Sequence, residues 1–104
     1  MKAFTKIYMK DSIFNDEREN VVLDFIQSKK FEFRWFIRRH GFISLNDVYD
    51  AFGILNHPKE DLIIYWNDDE LRDYNPNNFD SLMEFDLDYN GNFVVRIYFN
   101  GEWA

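Results

Sequence analysis

The alternation of apolar and polar residues around Asn90-Gly91-Asn92 constrains the fold most strongly. Successive side chains of a strand point to opposite faces. The apolar residues of two hairpin strands therefore lie on the same face only if the loop between the strands has the right number of residues. Here a loop with an odd number of residues places the apolar residues of both strands on one face. The sequence therefore predicts a C-terminal β-hairpin, with Tyr89 opposite Phe93 and Asp86 opposite Arg96. The apolar rows are Met83, Phe85, Leu87 and Tyr89 before the loop, and Phe93, Val95, Ile97 and Phe99 after it.

The other face of this hairpin is acidic. Glu84, Asp86 and Asp88 stand at every second position, about 6.8 Å apart along the strand, which is twice the rise per residue. The charge of the whole chain is divided in a similar way: residues 1–40 hold nine Lys/Arg against six Asp/Glu, whereas residues 41–104 hold three against thirteen. Such a surface repels phosphates and attracts basic partners.

A long helix is predicted over roughly residues 16–40. Apolar side chains recur there every three or four residues, and Asp16 with Glu19 has the spacing of a capping box. Segment 31–35 also alternates like a strand, but no Gly or Pro separates it from the helical pattern before Gly41, so the helix is favoured. The core face of this helix is centred on Val22, Ile26, Phe33 and His40.

A shorter helix is expected next in the chain. Ser44 and Asp47 form a second capping-box pattern, and Gly53 stands where a left-handed C-terminal residue belongs. The apolar face of this helix consists of Leu45, Val48, Tyr49 and Phe52.

The remaining segments complete an α+β domain that spans residues 1–104. Residues 3–9 alternate weakly and predict a short strand, while the apolar run 62–66 predicts a buried central strand. Asn67 with Glu70 predicts one more helical turn. The predicted fold is one long and one short helix packed on a small antiparallel sheet with a C-terminal β-hairpin, and a winged-helix-like arrangement is compatible with this order of elements.

Three segments together resemble small uncharacterised proteins of phages and integrative elements of Gram-positive bacteria: Ser12-Ile13-Phe14-Asn15, Val22-Leu23, and the run from His40 to Ile54 with its Gly-Phe-Ile-Ser-Leu-Asn-Asp-Val-Tyr-Asp pattern. The resemblance covers roughly residues 12–55 and less clearly 65–68. It implies a small cytoplasmic α+β protein made during phage or element life, and it supplies no catalytic residues. This chain departs from the pattern in its richer aromatic content and in the insertion-like segment 56–60.

Several classes of site are excluded or disfavoured by composition. The chain has no cysteine, which excludes disulfides, thiolate catalysis and sulfur-ligated metals and fits a reducing cytoplasm. No apolar run has the length of a signal peptide or of a membrane span, so we expect a cytoplasmic protein without membrane contact. His40 and His57 stand outside any catalytic or metal-ligand spacing, and we predict no enzymatic activity.

Two binding motifs are only partly matched by the sequence. Residues 86–91 match the first half of a calcium loop, but positions nine and twelve would be Val94 and Ile97, so the closing carboxylate is missing and no metal or other cofactor is expected. In a winged helix, the segment entering the DNA groove would hold mostly acids. They are Glu60, Asp61, Asp68, Asp69, Glu70 and Asp73, against Lys59 and Arg72. Because phosphate neutralisation supplies most non-specific affinity, no direct nucleic-acid binding is expected.

Two candidate partner-binding surfaces remain. The acidic surface comprises Glu84, Asp86, Asp88, Asp68, Asp69 and Glu70, and the helix surface, opposite the core face, comprises Phe31, Arg34, Trp35 and Arg38. The first predicts a protein partner with a basic surface, such as a host nucleic-acid-binding or defence protein that this chain inhibits. The alternative is a winged-helix-like regulator or virion accessory protein that self-associates through Phe31 and Trp35.

Each surface also has a purely structural explanation. The carboxylates of the hairpin can serve only to keep a strand edge solvated and free from aggregation. The two aromatic residues of the helix surface can be ordinary core side chains covered by another part of the chain.

Overall fold

The computed structural model describes residues 2–59, 61–65 and 83–103. The elements are β1 (Lys2–Tyr8), a 3-10 turn (Met9–Asp11), α1 (Glu19–His40), β2 (Phe42–Ser44), α2 (Leu45–Ala51), β3 (Leu62–Tyr65), β4 (Met83–Tyr89) and β5 (Phe93–Trp103). This confirms the α+β class, with a long and a short helix on an antiparallel sheet and a C-terminal hairpin. Trp66 and the predicted helical turn at 67–70 lie outside the described residues.

The last strand organises the sheet. Residues 93–99 of β5 pair with β4 and residues 94–100 pair with β1, whereas residues 101–103 pair with β3, which in turn pairs with β2. The hairpin register is the one predicted from the odd loop, with Tyr89 opposite Phe93 and Asp86 opposite Arg96. Gly91 has φ +76° and supplies the left-handed residue of the turn.

The first strand also follows the predicted alternation. Thr5, Ile7 and Met9 are buried, while Phe4 and Lys6 are exposed. Inside the molecule, the Thr5 hydroxyl and the Tyr49 hydroxyl form a 2.7 Å hydrogen bond that joins β1 to α2.

The start of α1 differs from the prediction. The helix begins at Glu19 and Arg18 occupies the N-cap position without a side-chain cap, so the predicted capping box of Asp16 and Glu19 is wrong. The Asp16 carboxylate accepts hydrogen bonds from the backbone N–H and the guanidinium of Arg18, all at 2.9 Å. These bonds hold the pKa of Asp16 well below its usual value. They also occupy the oxygens of Asp16 with Arg18, the residue before the first residue of the helix.

The core face of α1 is the predicted one except at its end. Val22, Ile26, Phe33 and Ile37 are buried, but His40 is exposed, with its ring 4.5 Å from that of Phe36. The helical period predicts that the core face extends to His40, the last residue of α1. The chain instead turns at Gly41, where φ is +83°, directly after His40. Ile43 of β2 then brings the next buried side chain.

The second helix forms as predicted. The Ser44 hydroxyl accepts a hydrogen bond from the Asp47 N–H at 3.1 Å, and the Asp47 carboxylate accepts one from the Ser44 N–H at 3.2 Å. Gly53 follows the helix with φ +71°. On the predicted apolar face, Leu45, Val48 and Phe52 are buried and Tyr49 is partly buried.

Replacing Ser44 with alanine should lower the free energy of unfolding by about 1 kcal/mol, because the Asp47 N–H loses its side-chain acceptor. Asp16→Ala is the matched control, since Asp16 does not cap α1. The bonds of Asp16 to Arg18 are exposed and contribute little to stability, so this variant should lose less stability than Ser44→Ala. Urea unfolding followed by circular dichroism measures both effects, and equal losses would mean that Asp16 supports α1 after all.

A short segment before α1 is fastened to the end of α2. The buried Ser12 hydroxyl donates to the Phe52 carbonyl at 2.5 Å and accepts from the Phe14 N–H at 3.0 Å. The Ile13 N–H donates to the Gly53 carbonyl at 3.0 Å. These bonds attach the segment before α1 to the residues that follow α2.

Candidate functional site

The hairpin carboxylates lie on the face of the sheet that points away from the helices. Phe85 faces inward, with its ring 6.1 Å from that of Phe33 and 6.3 Å from that of Phe52. Because side chains alternate along a strand, Glu84, Asp86 and Asp88 point outward. All three are exposed, and we call these three residues the β4 row.

Basic residues stand directly beside the β4 row. The Arg96 guanidinium lies 3.5 Å from the Asp86 carboxylate and hydrogen-bonds the Asp88 carboxylate. Lys6 of β1 is the register partner of Arg96 on its other side. The charge of the outer face therefore changes sign across the sheet, from acidic at β4 to basic at β5 and β1. The acidic part of the hairpin face is limited to the β4 strand.

Within the described part of the chain, β4 pairs with β5 alone. In that part of the chain, its carboxylates therefore border the outer edge of the sheet. The other acidic candidates, Asp68, Asp69 and Glu70, lie outside the described residues, so their position relative to the β4 row stays a prediction.

The calcium-like segment has a competing interaction. Asp86 and Asp88 both contact Arg96, so a cation would have to displace a guanidinium from them. Among residues 2–59, 61–65 and 83–103, no group of three or more His, Asp or Glu side chains is placed to hold a metal ion.

The hairpin tip is joined to α1. The Tyr89 hydroxyl donates a hydrogen bond to the Glu19 carboxylate, and this bond raises the pKa of Tyr89 above its ordinary value. Both groups are exposed, and their contact fixes the hairpin against the first turn of the helix.

The helix surface lies on the side of α1 that faces away from the core, as the helical period predicts. The exposed fractions are 63% for Phe31 and 67% for Trp35, so neither is an ordinary core residue. The Arg38 guanidinium stands 5.8 Å from the centroid of the Trp35 ring, within the range of a cation–π contact. Arg34 is partly buried.

These aromatic residues border an open groove between α1 and α2 with a volume of about 740 Å³. Its lining includes Phe31, Trp35 and Phe36 from α1, Ile43 from β2, and Asp47 and Asp50 from α2. We call it the interhelical groove. The sequence did not reveal it, because it depends on how the two helices pack against each other.

The two histidines make contacts with neighbouring side chains. His57 Nε2 lies 2.6 Å from Asp50 Oδ1, and the His57 ring meets the Tyr49 ring edge-on at 6.4 Å. The His40 ring packs against the Phe36 ring at an interplanar angle of 42°. These contacts are of the kind that hold a loop and a helix end in place.

Neither helix in the described ranges is long and apolar enough to cross a membrane. No protein-family model, curated protein or solved structure matches the chain.

Proposed function

We propose that this chain is a non-enzymatic, acidic protein of a phage or mobile element that binds a host or phage protein with a basic surface. The observation that carries the proposal is the β4 row, in which three exposed carboxylates follow one another on a single strand. The phage or element origin rests on the resemblance of residues 12–55. A cytoplasmic location follows from that origin.

The spacing of the β4 row suits a partner that normally binds nucleic acid. Carboxylates about 6.8 Å apart along a strand repeat roughly as successive phosphates do along a nucleic-acid strand. A nuclease or another defence protein whose basic cleft receives such a row would be blocked from its substrate. The role of Arg96 in this proposal is to hold the Asp86 and Asp88 carboxylates in position before the partner binds.

The test is the triple variant Glu84→Gln, Asp86→Asn, Asp88→Asn. We expect it to fold like the natural chain, because these side chains are exposed, and to lose capture of the basic partner in a pull-down from bacterial lysate. Capture by the natural chain should weaken steeply between about 50 and 500 mM salt, since screening acts on exposed charges.

A matched control removes the same charge elsewhere. The variant Asp11→Asn, Glu17→Gln, Asp24→Asn changes three exposed carboxylates outside β4 and should capture the partner normally. Equal loss in both variants would mean that only net charge matters, and no loss in either would reject the β4 row as the binding surface.

The alternative function is a winged-helix-like regulator or virion accessory protein that self-associates. The exposure of Phe31 and Trp35 favours it. If the natural chain binds duplex DNA at physiological salt more tightly than about micromolar, the winged-helix function replaces the protein-binding one.

A further inference from the structure

We infer that the interhelical groove is one half of a self-complementary interface, and that it receives the Phe31–Trp35 ridge of a second copy of this chain. The ridge comprises Phe31, Arg34, Trp35 and Arg38 on α1. This interface is independent of the β4 row, because that row lies on the opposite face of the sheet.

The apolar part of the interface is present on each copy. Phe31 and Trp35 stand four residues apart on α1, so they lie one above the other on the same helix face. They are largely exposed, and the groove beside them has a buried apolar residue, Ile43, in its lining. An aromatic ridge next to an apolar groove lets two copies exchange ridges across a twofold axis, as an isologous interface requires.

The charges match in the same exchange. The ridge carries two arginines at positions 34 and 38, and the α2 wall of the groove carries Asp47 and Asp50. The side chain of Asp50 is 66% exposed even though its Oδ1 contacts His57 Nε2, so a guanidinium from outside can reach it. Entry of the ridge into the groove of another copy therefore brings arginine toward carboxylate on both sides of the axis, and aromatic and arginine residues are the commonest binding hot spots.

The β4 edge is the weaker place for self-association. Two β4 strands paired edge to edge would bring carboxylate rows together, and like charges opposed across strands are destabilising. On the α1–α2 side, Arg39 also lines the groove, but it belongs to the α1 wall, whereas Asp47 and Asp50 on the α2 wall have the charge opposite to that of the ridge.

The first test is the oligomeric state. Sedimentation equilibrium of the natural chain between about 5 and 500 μM should show a reversible monomer–dimer equilibrium. Trp35→Ala should weaken the dimer by about 30-fold, the loss typical of a buried aromatic anchor. Phe4→Ala is the matched control, because Phe4 is 59% exposed on the outer face of the sheet, and it should change the dimer constant by less than about 3-fold.

Charge reversal then tests the geometry. Arg38→Glu and Asp50→Lys, each alone, should weaken the homodimer by 10-fold or more because like charges face each other. An equimolar mixture of the two variants should form a heterodimer, since both of its contacts again join opposite charges. The natural chain staying monomeric at 500 μM, a dimer unaffected by Trp35→Ala, or a mixture that fails to associate would each overturn the interface.

Folding of every variant is checked by circular dichroism, because Asp50→Lys also removes the contact with His57. If that variant does not fold, Asp50→Asn replaces it, and the dimer is expected to weaken by about 3-fold or more. A dimer that is lost in the β4 triple variant and retained in Trp35→Ala would move the interface to the β4 edge.

Discussion

Replacing Phe52 with alanine should lower the free energy of unfolding by about 3–5 kcal/mol. Phe52 is fully buried, and its ring lies 6.1 Å from that of Phe25, 5.8 Å from that of Phe33 and 6.3 Å from that of Phe85. It therefore joins α1, the end of α2 and β4, and its removal leaves a cavity that these three elements cannot fill together. For a chain of this size the midpoint of thermal unfolding should fall by about 12 °C or more.

Guanidinium unfolding followed by circular dichroism measures the loss. Phe4→Ala serves as the control, because this side chain is 59% exposed and its ring contacts the Tyr98 ring alone among the described rings, at 5.6 Å. It should cost less than about 1 kcal/mol. Similar losses in the two variants would show that the aromatic cluster is not the centre of the core.

Gly53→Ala should cost about 2–5 kcal/mol, from two separate causes. The backbone at Gly53 has φ +71°, which disfavours any residue with a Cβ. A Cβ at this position would also lie 2.6 Å from a carbon of the Phe14 ring and 2.7 Å from a carbon of the Ile13 side chain. Both contacts are too short, so the Phe14 ring and the Ile13 side chain would have to move.

Gly91→Ala separates the two causes. Gly91 has nearly the same backbone angle, φ +76°, but a Cβ there meets nothing within 4 Å. Its cost should therefore be the backbone contribution alone, about 1–2 kcal/mol. The excess at Gly53 should shrink in Gly53→Ala combined with Phe14→Ala, as a double-mutant cycle in urea would show. Equal costs at the two glycines would contradict the close packing around Gly53.

The features that could be predicted from sequence are those set by neighbours in the chain. The register of β4 on β5 follows from side-chain parity and loop length, both of which are local. The start of α2 follows from the reciprocal bonds of Ser44 and Asp47, three residues apart. The helical period places Phe31 and Trp35 opposite the core face of α1, but it leaves open whether another part of the chain covers them, and the structure shows them exposed.

The features that could not be predicted depend on residues far apart in the chain or on competition between near neighbours. Arg96 opposite Asp86 was predicted from the hairpin register, but Lys6 stands beside Arg96 only because β1 pairs with β5, so the basic character of the outer face at β1 could not be predicted. The interhelical groove needs α1 and α2 in their packed positions. At the start of α1, the pattern of Asp16 and Glu19 was correct for a cap, but Arg18 binds the Asp16 carboxylate first.

The pairing of β1 with β5 has a consequence for the order in which the protein folds. β1 pairs with β5 only after about 90 further residues have been synthesised, because residues 2–8 pair with residues 94–100. Contacts between such distant segments slow folding, and here they delay the pairing of β1, β3 and β4 with β5 until residues 93–103 have been synthesised. Until then β1, with exposed Phe4 and Tyr8, has an unpaired edge on both sides. The elements that can form in the growing chain before β5 are therefore α1, α2 and the β2–β3 pair.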